Sequence, residues 1–424
     1  MTTDAYQEIR RRALERIDGA GIDPAEESGP LMKLLEEAVD DYQRLAHLGE
    51  GRSLANPEET VRRLYRSVSA HGPFGDLLER EDVEEIFIEG DSVTYLEAGG
   101  WLRGLETPTS EEENRQLIER LIATTDRRLD ASNPIAQARI LDGTARLTAV
   151  IPPVADRLSA TIRRYALRRE TMDSLVGLAS LTPAAASFLS SAMRASASVI
   201  VSGPPGAGKT SFLSALIAAV PVSHCVRACE EVRELHVPLI HGSYYEARPP
   251  ALDGGGEIAL RDLVKVTLAM RPDLIVVGEV RGAEAFELTR AANAGCGMVC
   301  TIHANSATDA LAALVNAALM AGENVPERVV RKIFSTSIDF LVHLDRDVEP
   351  SEGKIRRQTV EIRALVPSLH EDFSSEPLFV RERMGGPMVW TGALPPEPVA
   401  RRLQDALPEG LTLTEVMKGA QSSW

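Results

Sequence analysis

The stretch from residue 198 to residue 220 constrains this chain more than any other. A short run rich in β-branched residues leads into a glycine-rich loop, and a helical pattern begins directly after the loop. Residues 203–210 read Gly-Pro-Pro-Gly-Ala-Gly-Lys-Thr, which is the G-x-x-x-x-G-K-[ST] motif between a strand and a helix. The simpler interpretation is a glycine-rich turn between two core elements. We favour nucleotide binding, because a chance match is on the order of one per cent for such a chain.

The residues of this loop predict a site for ATP and Mg²⁺. Glycine tolerates the backbone dihedrals of such a loop and leaves its amide groups open to phosphate. Lys209 is expected to reach the β- and γ-phosphates, and the Thr210 hydroxyl to hold Mg²⁺. The helix that begins near Lys209 adds the positive end of its dipole. The predicted nucleotide contacts are Gly203, Pro204, Pro205, Gly206, Ala207, Gly208, Lys209, Thr210 and Ser211.

Composition narrows the class of protein. A chain of 424 residues with 44% hydrophobic residues can form two packed domains. The net charge of −16 argues against a protein that coats nucleic acid or an anionic membrane. We find no signal peptide and no apolar run of about 18 residues, so we expect a cytoplasmic protein without direct membrane insertion. Any membrane contact is expected to come through a partner.

The four cysteines do not suggest a disulfide framework in a chain of this length. They could instead form a zinc site, since they occur as two pairs with a spacing of four. However, Cys225 and Cys229 would lie about 13 Å apart on one strand, which is too far to share an ion. We therefore expect buried free thiols.

Patterns along the chain predict an α/β protein in five segments. They are a helical extension (1–75), a small α+β domain (76–165), an interdomain linker (166–180), a mostly parallel, doubly wound sheet with helices on both faces (181–345), and a β/α tail (346–424). Asn56 is expected to cap a helix of the extension, and Ser110 and Glu113 to form a capping box. The helices of the extension could pack on the body or act as a docking arm; the sequence leaves both open.

Acidic residues and a histidine follow predicted strands of the parallel sheet. Glu279 ends the hydrophobic run 273–279, Glu231 and Glu234 belong to an acidic group that begins at Glu230, and His303 ends another strand. Since parallel strands end at one edge of a sheet, we expect these side chains to meet near the phosphate loop. Each alone has a simpler explanation, because such an acid can cap a helix and a single histidine can be structural. Their order after the loop favours a catalytic site.

Arginines cluster at the predicted junction between the two domains. Arg163, Arg164, Arg168 and Arg169 are close in sequence in an otherwise acidic protein. One interpretation is a solvated linker. The other is a hinge whose arginines face phosphate, and the residues alone do not separate the two.

The motifs together resemble those of the ATPases of type II and type IV secretion, type IV pili and Tad/Flp pilus assembly. Within this superfamily, the chain is most similar to the CpaF/TadA-like ATPases. The matching stretches are 141–143, 151–153, 161–164, 246–250, 263–265, 270–273, 277–282 and 301–306. The resemblance covers about residues 80 to 345. Cys296 and Gly297 depart from it, since they replace part of a histidine-containing stretch.

This resemblance implies a RecA-like motor domain that hydrolyses ATP within a homohexameric ring. It assigns the Walker B position to Glu279, places Glu231 and Glu234 in the family's Asp box and His303 in its His box. Glu231 stands where the family usually has Asp, and Glu234 is implied as the second functional acid. Arg163 and Arg164 fall in the interdomain region whose arginines act on the nucleotide. The implied partner is an inner-membrane platform protein at the cytoplasmic face of the membrane.

Three other functions remain to be weighed. A conjugation-type ATPase that serves DNA transfer fits the same motifs. A translocase that itself holds nucleic acid is disfavoured by the negative charge and by the lack of a basic, aromatic surface. A scaffold that binds nucleotide without hydrolysing it is disfavoured because Lys209, Thr210 and Glu279 are all present.

Overall fold

The computed structural model describes residues 3–24, 27–49, 51–68, 72–125, 127–165, 170–236, 238–248, 250, 255–322, 324–349, 354–367 and 373–419. The chain divides into two compact units, Met1–Ala166 and Leu167–Trp424. No helix within the described ranges is both long enough and apolar enough to cross a membrane.

The first unit begins with helices that share an apolar core. They are α1 (Thr3–Ala20), α2 (Ser28–His47) and α3 (Pro57–Val68). Ile9, Leu35 and Leu64, one from each helix, are fully buried in the same cluster. As predicted, Asn56 caps α3, since its Oδ1 accepts a hydrogen bond from the Glu59 backbone N–H at 3.2 Å.

The rest of the first unit is an antiparallel sheet with a helix packed on it. Its elements are α4 (Gly75–Glu79), β1 (Val83–Glu89), β2 (Ser92–Glu97), β3 (Trp101–Gly104), α5 (Glu111–Ala123), β4 (Ile135–Ile140), β5 (Ala145–Val150) and β6 (Ser159–Arg164). The strand order is β4-β5-β6-β1-β2-β3. Ser110 and Glu113 form the predicted capping box at the start of α5. Leu117 and Ile118 of α5 are buried against the sheet.

The N-terminal helices pack on this sheet-and-helix body. The Tyr6 hydroxyl of α1 donates to Glu113 Oε1 at 2.5 Å, and Arg10 Nη2 donates to Gln116 Oε1 at 2.5 Å. Both acceptors belong to α5, and the Glu113 side chain is buried. Of the two arrangements that the sequence left open, the described residues form the packed one.

The second unit is built on a parallel sheet. Its elements up to the last parallel strand are α6 (Met172–Gly177), α7 (Pro183–Arg194), β7 (Val199–Ser202), α8 (Lys209–Ala218), β8 (Val226–Glu230), β9 (Gly242–Glu246), α9 (Leu260–Leu268), β10 (Leu274–Val280), α10 (Glu284–Asn293), β11 (Gly297–Ile302), α11 (Ala307–Leu319), α12 (Glu327–Ser337) and β12 (Phe340–Glu349). The parallel order is β12-β7-β11-β10-β8-β9. Alternate residues of β7 enter two apolar clusters, Val199 one and Ile200 the other, so the sheet is buried on both faces. The predicted fold class, a mostly parallel α/β sheet with helices on both faces, is confirmed.

The C-terminal elements continue the second unit. They are β13 (Lys354–Val366), β14 (Ser374–Arg381), β15 (Met388–Trp390), α13 (Glu397–Asp405) and α14 (Leu413–Met417). β13 pairs antiparallel with β12 and β14 pairs with β13. Leu403 and Val416 are buried in the same cluster as Val199. The predicted tail therefore shares a core with the sheet, and the predicted linker contains α6, whose Met172 is buried.

The strands differ from the sequence predictions at three points. β9 was not predicted, because Gly242–Glu246 is polar and pairs with β8 at the sheet edge. β12 crosses the predicted boundary between the segments 181–345 and 346–424, because it continues to Glu349, paired with β13. Cys225 was expected within a strand with Cys229, yet β8 begins one residue after it, at Val226.

Candidate nucleotide-binding site

The phosphate-binding loop joins the end of β7 to the start of α8. Gly208 lies in the left-handed region at φ 89° and directly precedes α8. A Cβ atom on Gly203 would lie 2.4 Å from the Leu344 carbonyl oxygen of the neighbouring strand β12. Only glycine therefore fits at Gly203 without a shift of that strand. The strand–loop–helix arrangement predicted for the motif is present.

Lys209 is buried at the first position of α8, and its ammonium group turns back onto the loop. Its Nζ donates to the carbonyl oxygens of Gly203 at 2.9 Å and Pro204 at 3.0 Å. It also lies 3.0 Å from His303 Nδ1. An ammonium has no acceptor capacity, so the histidine nitrogen must accept this hydrogen bond.

His303 connects Lys209 to Glu279. Its Nε2 lies 2.5 Å from Glu279 Oε1. Partial burial, and then the nearby Lys209 charge, lower the pKa of His303 below its usual value, so the ring is neutral at pH 7. With Nδ1 accepting from Lys209, the ring proton of the neutral histidine sits on Nε2, the nitrogen nearer the Glu279 carboxylate. The predicted meeting of Lys209, His303 and Glu279 is thus seen in the structure.

Topology explains why these three side chains meet. Lys209 follows β7, His303 follows β11, and Glu279 is the last residue but one of β10. β11 lies between β7 and β10, and the three strands are parallel. Their carboxyl ends therefore share one edge, with His303 between the other two.

Arg281 is a site residue that the sequence reasoning missed. Its Nη2 lies 2.5 Å from Glu279 Oε2 and its Nη1 lies 3.3 Å from Glu231 Oε2. It occurs in the stretch 277–282 that carried the family resemblance, but it was given no role there. A guanidinium two residues after Glu279, the predicted Walker B position, could have been noticed as a direct partner for it.

Glu230 is the buried member of the acidic group at the end of β8. This side chain is 3% exposed and accepts hydrogen bonds from the backbone N–H groups of Glu234 and Leu235, both at 3.2 Å. Burial raises its pKa to about 7. A Cβ on Gly278 would lie 2.9 Å from Glu230 Cγ, so this acid packs directly against strand β10.

The other two acids of that group sit differently. Glu231 is exposed and reaches the site through Arg281. Glu234 supplies its backbone N–H to Glu230, and its own side chain is partly exposed. Glu230 was noted in the sequence but not chosen as a site residue, because spacing alone does not reveal which acid faces the neighbouring strand.

The remaining loop residues fit a magnesium nucleotide. Thr210 and Ser211 lie in the first turn of α8 and are partly exposed, and Pro205 and Gly206 are exposed. A hydroxyl here and the Glu279 carboxylate are oxygen ligands of the kind that Mg²⁺ takes, directly or through water. The glycine-lined loop, the helix N-terminus and the buried ammonium together suit a polyphosphate.

Arg163 and Arg164 belong to the first unit, at the end of β6. Arg163 is exposed and its Nε lies 3.7 Å from Glu85 Oε1. Arg164 donates from Nη1 to the Arg80 carbonyl oxygen. These contacts are within that unit, and action on a nucleotide stays a prediction for both. The other two junction arginines, 168 and 169, lie outside the described residues.

All four cysteines are free thiols. Burial raises the pKa of Cys229 to about 11 and that of Cys300 to about 12, which keeps both protonated. Among the residues that the structure describes, no three His, Cys, Asp or Glu side chains are grouped as metal ligands.

Fold and site together define a P-loop nucleotide-binding domain of the RecA-like class, preceded by an α+β domain. The family model described as "Type II/IV secretion system protein" matches residues 79–368, and the chain belongs to this family. The placement in the type II/IV secretion ATPase superfamily is thus confirmed.

Individual relatives carry names from type IV secretion. A "putative conjugal transfer protein" of Mycobacterium tuberculosis (strain CDC 1551 / Oshkosh) is 30% identical over 334 residues, 74% of this chain and 93% of the relative. "Type IV secretion system protein PtlH" of Bordetella pertussis is 29% identical over 321 residues, 67% of this chain and 91% of that protein. The ATPase DotB of Yersinia pseudotuberculosis matches the fold with a TM-score of 0.50 at 16% identity, over 69% of this chain and 79% of that chain.

Proposed function

We propose that this protein is an ATP-hydrolysing motor of a secretion or pilus-assembly system. One observation carries the proposal: Lys209, His303 and Glu279 form a continuous set of contacts at the carboxyl edge of the parallel sheet, beside the phosphate loop. The family membership supports it, since the family is named after type II and type IV secretion. We extend ATP hydrolysis and secretion to this chain from the names of its relatives, as part of the proposal.

Binding of ATP requires Lys209 to exchange its present partners. The ammonium group contacts the carbonyl oxygens of Gly203 and Pro204 and the ring of His303. Phosphate oxygens replace some of these acceptors when ATP enters, because a charged phosphate is a stronger partner than a neutral carbonyl. His303 Nδ1 is then free to accept from another donor.

Hydrolysis is assigned to Glu279. Its carboxylate orients a water molecule, whose oxygen bonds to the γ-phosphorus while the bond to the β,γ-bridging oxygen breaks. The carboxylate accepts the water proton, and Arg281 and His303 hold it in place before the reaction. Mg²⁺ bound with ATP neutralises charge on the phosphates, and Thr210 would hold it.

The subunit is proposed to act in a homohexameric ring. Arg163 and Arg164 belong to a different unit from the phosphate loop. In the proposed ring these arginines reach their own or a neighbour's nucleotide, where an arginine can add several orders of magnitude in rate. The ring is proposed to contact a platform protein at the cytoplasmic face of the inner membrane, without holding nucleic acid itself.

Two cargo systems remain as candidates. The motif resemblance favours Tad/Flp pilus assembly, whereas the relatives are named after conjugal transfer and type IV secretion. Neighbouring genes separate them: pilin and prepilin peptidase genes support the first, and a relaxase gene supports a conjugation-type ATPase.

Phosphate release from the purified protein tests the enzymatic part of the proposal. We expect turnover with Mg-ATP that stops when Mg²⁺ is chelated. Lys209→Ala should abolish it with the fold intact by circular dichroism, because the charge that meets the β- and γ-phosphates is lost. Parental turnover in Lys209→Ala would refute the assignment of the phosphate loop.

Light scattering with and without a non-hydrolysable ATP analogue tests the ring. We expect a hexamer with the analogue. A protein that stays monomeric at micromolar concentration with nucleotide, yet hydrolyses ATP at full rate, would exclude the ring model.

A further inference from the structure

The ribbon formed by β12 and β13 runs past the end of β7, along the phosphate loop. β12 pairs in parallel with β7 only from Phe340 to His343. From Leu344 to Glu349 it continues as one arm of an antiparallel ribbon with β13. The Leu344 carbonyl occupies the space where Gly203 would need a Cβ, so the ribbon touches the loop at its first glycine.

Two arginines of this ribbon lie against the loop. Arg346 of β12 and Arg357 of β13 are directly opposite in the register, so their side chains share one face. A Cβ on Gly206 would lie 2.8 Å from Arg346 Nη1, and a Cβ on Gly208 would lie 3.7 Å from Arg357 Cδ. Both side chains thus approach residues of the loop predicted to hold phosphate.

Placing two like charges opposite each other on a sheet costs stability. The buried ammonium of Lys209, at the end of the same loop, adds to the positive charge of this region. An anion bound at the loop would remove the repulsion between the two guanidinium groups and gain a charge-assisted hydrogen bond from each. The pair therefore has the electrostatics of a site that is completed by phosphate.

Strand order decides which phosphates the pair can reach. β12 flanks β7 on one side, while β11 and β10, which carry His303 and Glu279 at their ends, lie on the other. The arginines therefore approach the loop from the flank opposite the reacting γ-phosphate. ATP and ADP both carry an α- and a β-phosphate, and these are the groups that the arginines can reach from that flank.

We propose that Arg346 and Arg357 bind the α- and β-phosphates of the nucleotide held by their own subunit. This rests on the proposed function, since it assumes that the loop binds ATP and ADP. Under this proposal Arg346 and Arg357 contribute to nucleotide affinity. The arginines of the first unit are instead proposed to act on the transition state. Their contribution to ATP and ADP binding should be equal, and their loss should appear in KM more than in kcat.

Isothermal titration with ADP and with a non-hydrolysable ATP analogue tests this directly. We expect Arg346→Gln and Arg357→Gln each to raise the Kd for both nucleotides by about tenfold, the scale of one charge-assisted hydrogen bond. A lysine at either position should retain more affinity for both nucleotides than a glutamine does. Arg356→Gln is the matched control, because Arg356 faces away, toward the turn at Gly385.

Thermal unfolding separates phosphate binding from a structural role. Without nucleotide, Arg346→Gln should melt at the parental temperature or above, because a repulsive pair is removed. With saturating ADP, its gain in melting temperature should be smaller than the parental gain.

Three results would overturn the proposal. They are unchanged affinities in the double glutamine variant, a loss in kcat alone, or a lower melting temperature without nucleotide that lysine does not restore. If the parental protein binds neither ADP nor the analogue, the proposed function fails instead, which the same titration reveals.

Discussion

The two units of this protein handle charged side chains in different ways. In the first unit, neighbouring residues of β6 alternate between the faces of an antiparallel sheet. Arg163 and Arg164 accordingly contact different partners, Glu85 and the Arg80 carbonyl, within their own unit. In the second unit, Lys209 and His303 touch although 94 residues separate them. A parallel sheet collects the ends of distant strands at one edge, whereas an antiparallel meander distributes its polar groups along the strands.

This difference concerns which charged side chains a single chain brings together by itself. The second unit brings a lysine, a histidine, a glutamate and an arginine to one place within a single chain. The first unit holds its arginines in pairs that must be rearranged before they can meet a nucleotide. The prediction that arginines of the interdomain region act on the nucleotide did not consider Arg281, which already contacts Glu279.

The largest loss of turnover with ATP binding retained is expected in the second unit, from Glu279→Gln. The amide keeps the shape but cannot accept the water proton, so turnover should fall by ~100-fold or more while ATP binding persists. Single-turnover and steady-state phosphate release measure both properties. If Glu279→Gln kept steady-state hydrolysis, the catalytic role would move to the acids at 230–234.

The arginines of the first unit should give a smaller loss, and one that depends on the neighbouring subunit. We expect the double variant Arg163→Ala/Arg164→Ala to lose about tenfold or more in kcat, because an arginine stabilises charge in the transition state. Mixing it with Glu279→Gln subunits should restore activity, since some interfaces then combine intact arginines with an intact glutamate. The measurement is phosphate release from mixtures at fixed total protein. A mixture no more active than its components would show that the arginines do not act between chains.

The smallest effect concerns stability and the buried carboxyl of Glu230. Because its pKa is raised to about 7, the folded protein keeps this proton to a higher pH than the unfolded chain does. Its contribution to stability is therefore full in acid and is lost as pH rises toward and through 7. Between pH 5 and pH 8, the free energy of unfolding of the parental second unit should fall relative to Glu230→Gln by about 2 kcal/mol.

Urea unfolding of the two proteins at both pH values measures this difference. An equal pH dependence in Glu230→Gln and the parental protein would show that this carboxyl ionises without penalty in the folded state.

The sequence predicted the elements that bury apolar residues with a regular period. β10 and β11 are continuous hydrophobic runs, and the loop between β7 and α8 carries its own motif, so the fold class and the meeting of Glu279 with His303 followed. The end of β12 did not follow, because Asp345, Arg346 and Asp347 show no apolar pattern and are held by pairing with β13, which is distant in sequence. The role of Glu230 likewise depends on the close approach of two strands, which spacing along the chain does not encode.

The contact between α1 and α5 determines how a mechanical load would pass through the first unit. Tyr6 and Arg10 meet the Glu113 carboxylate, which is 1% exposed and also closes the capping box of α5. Pulling α1 away would break these contacts and expose the apolar residues that it shares with α2 and α3. A load applied to the N-terminal helices would therefore act first on the contact between α1 and α5.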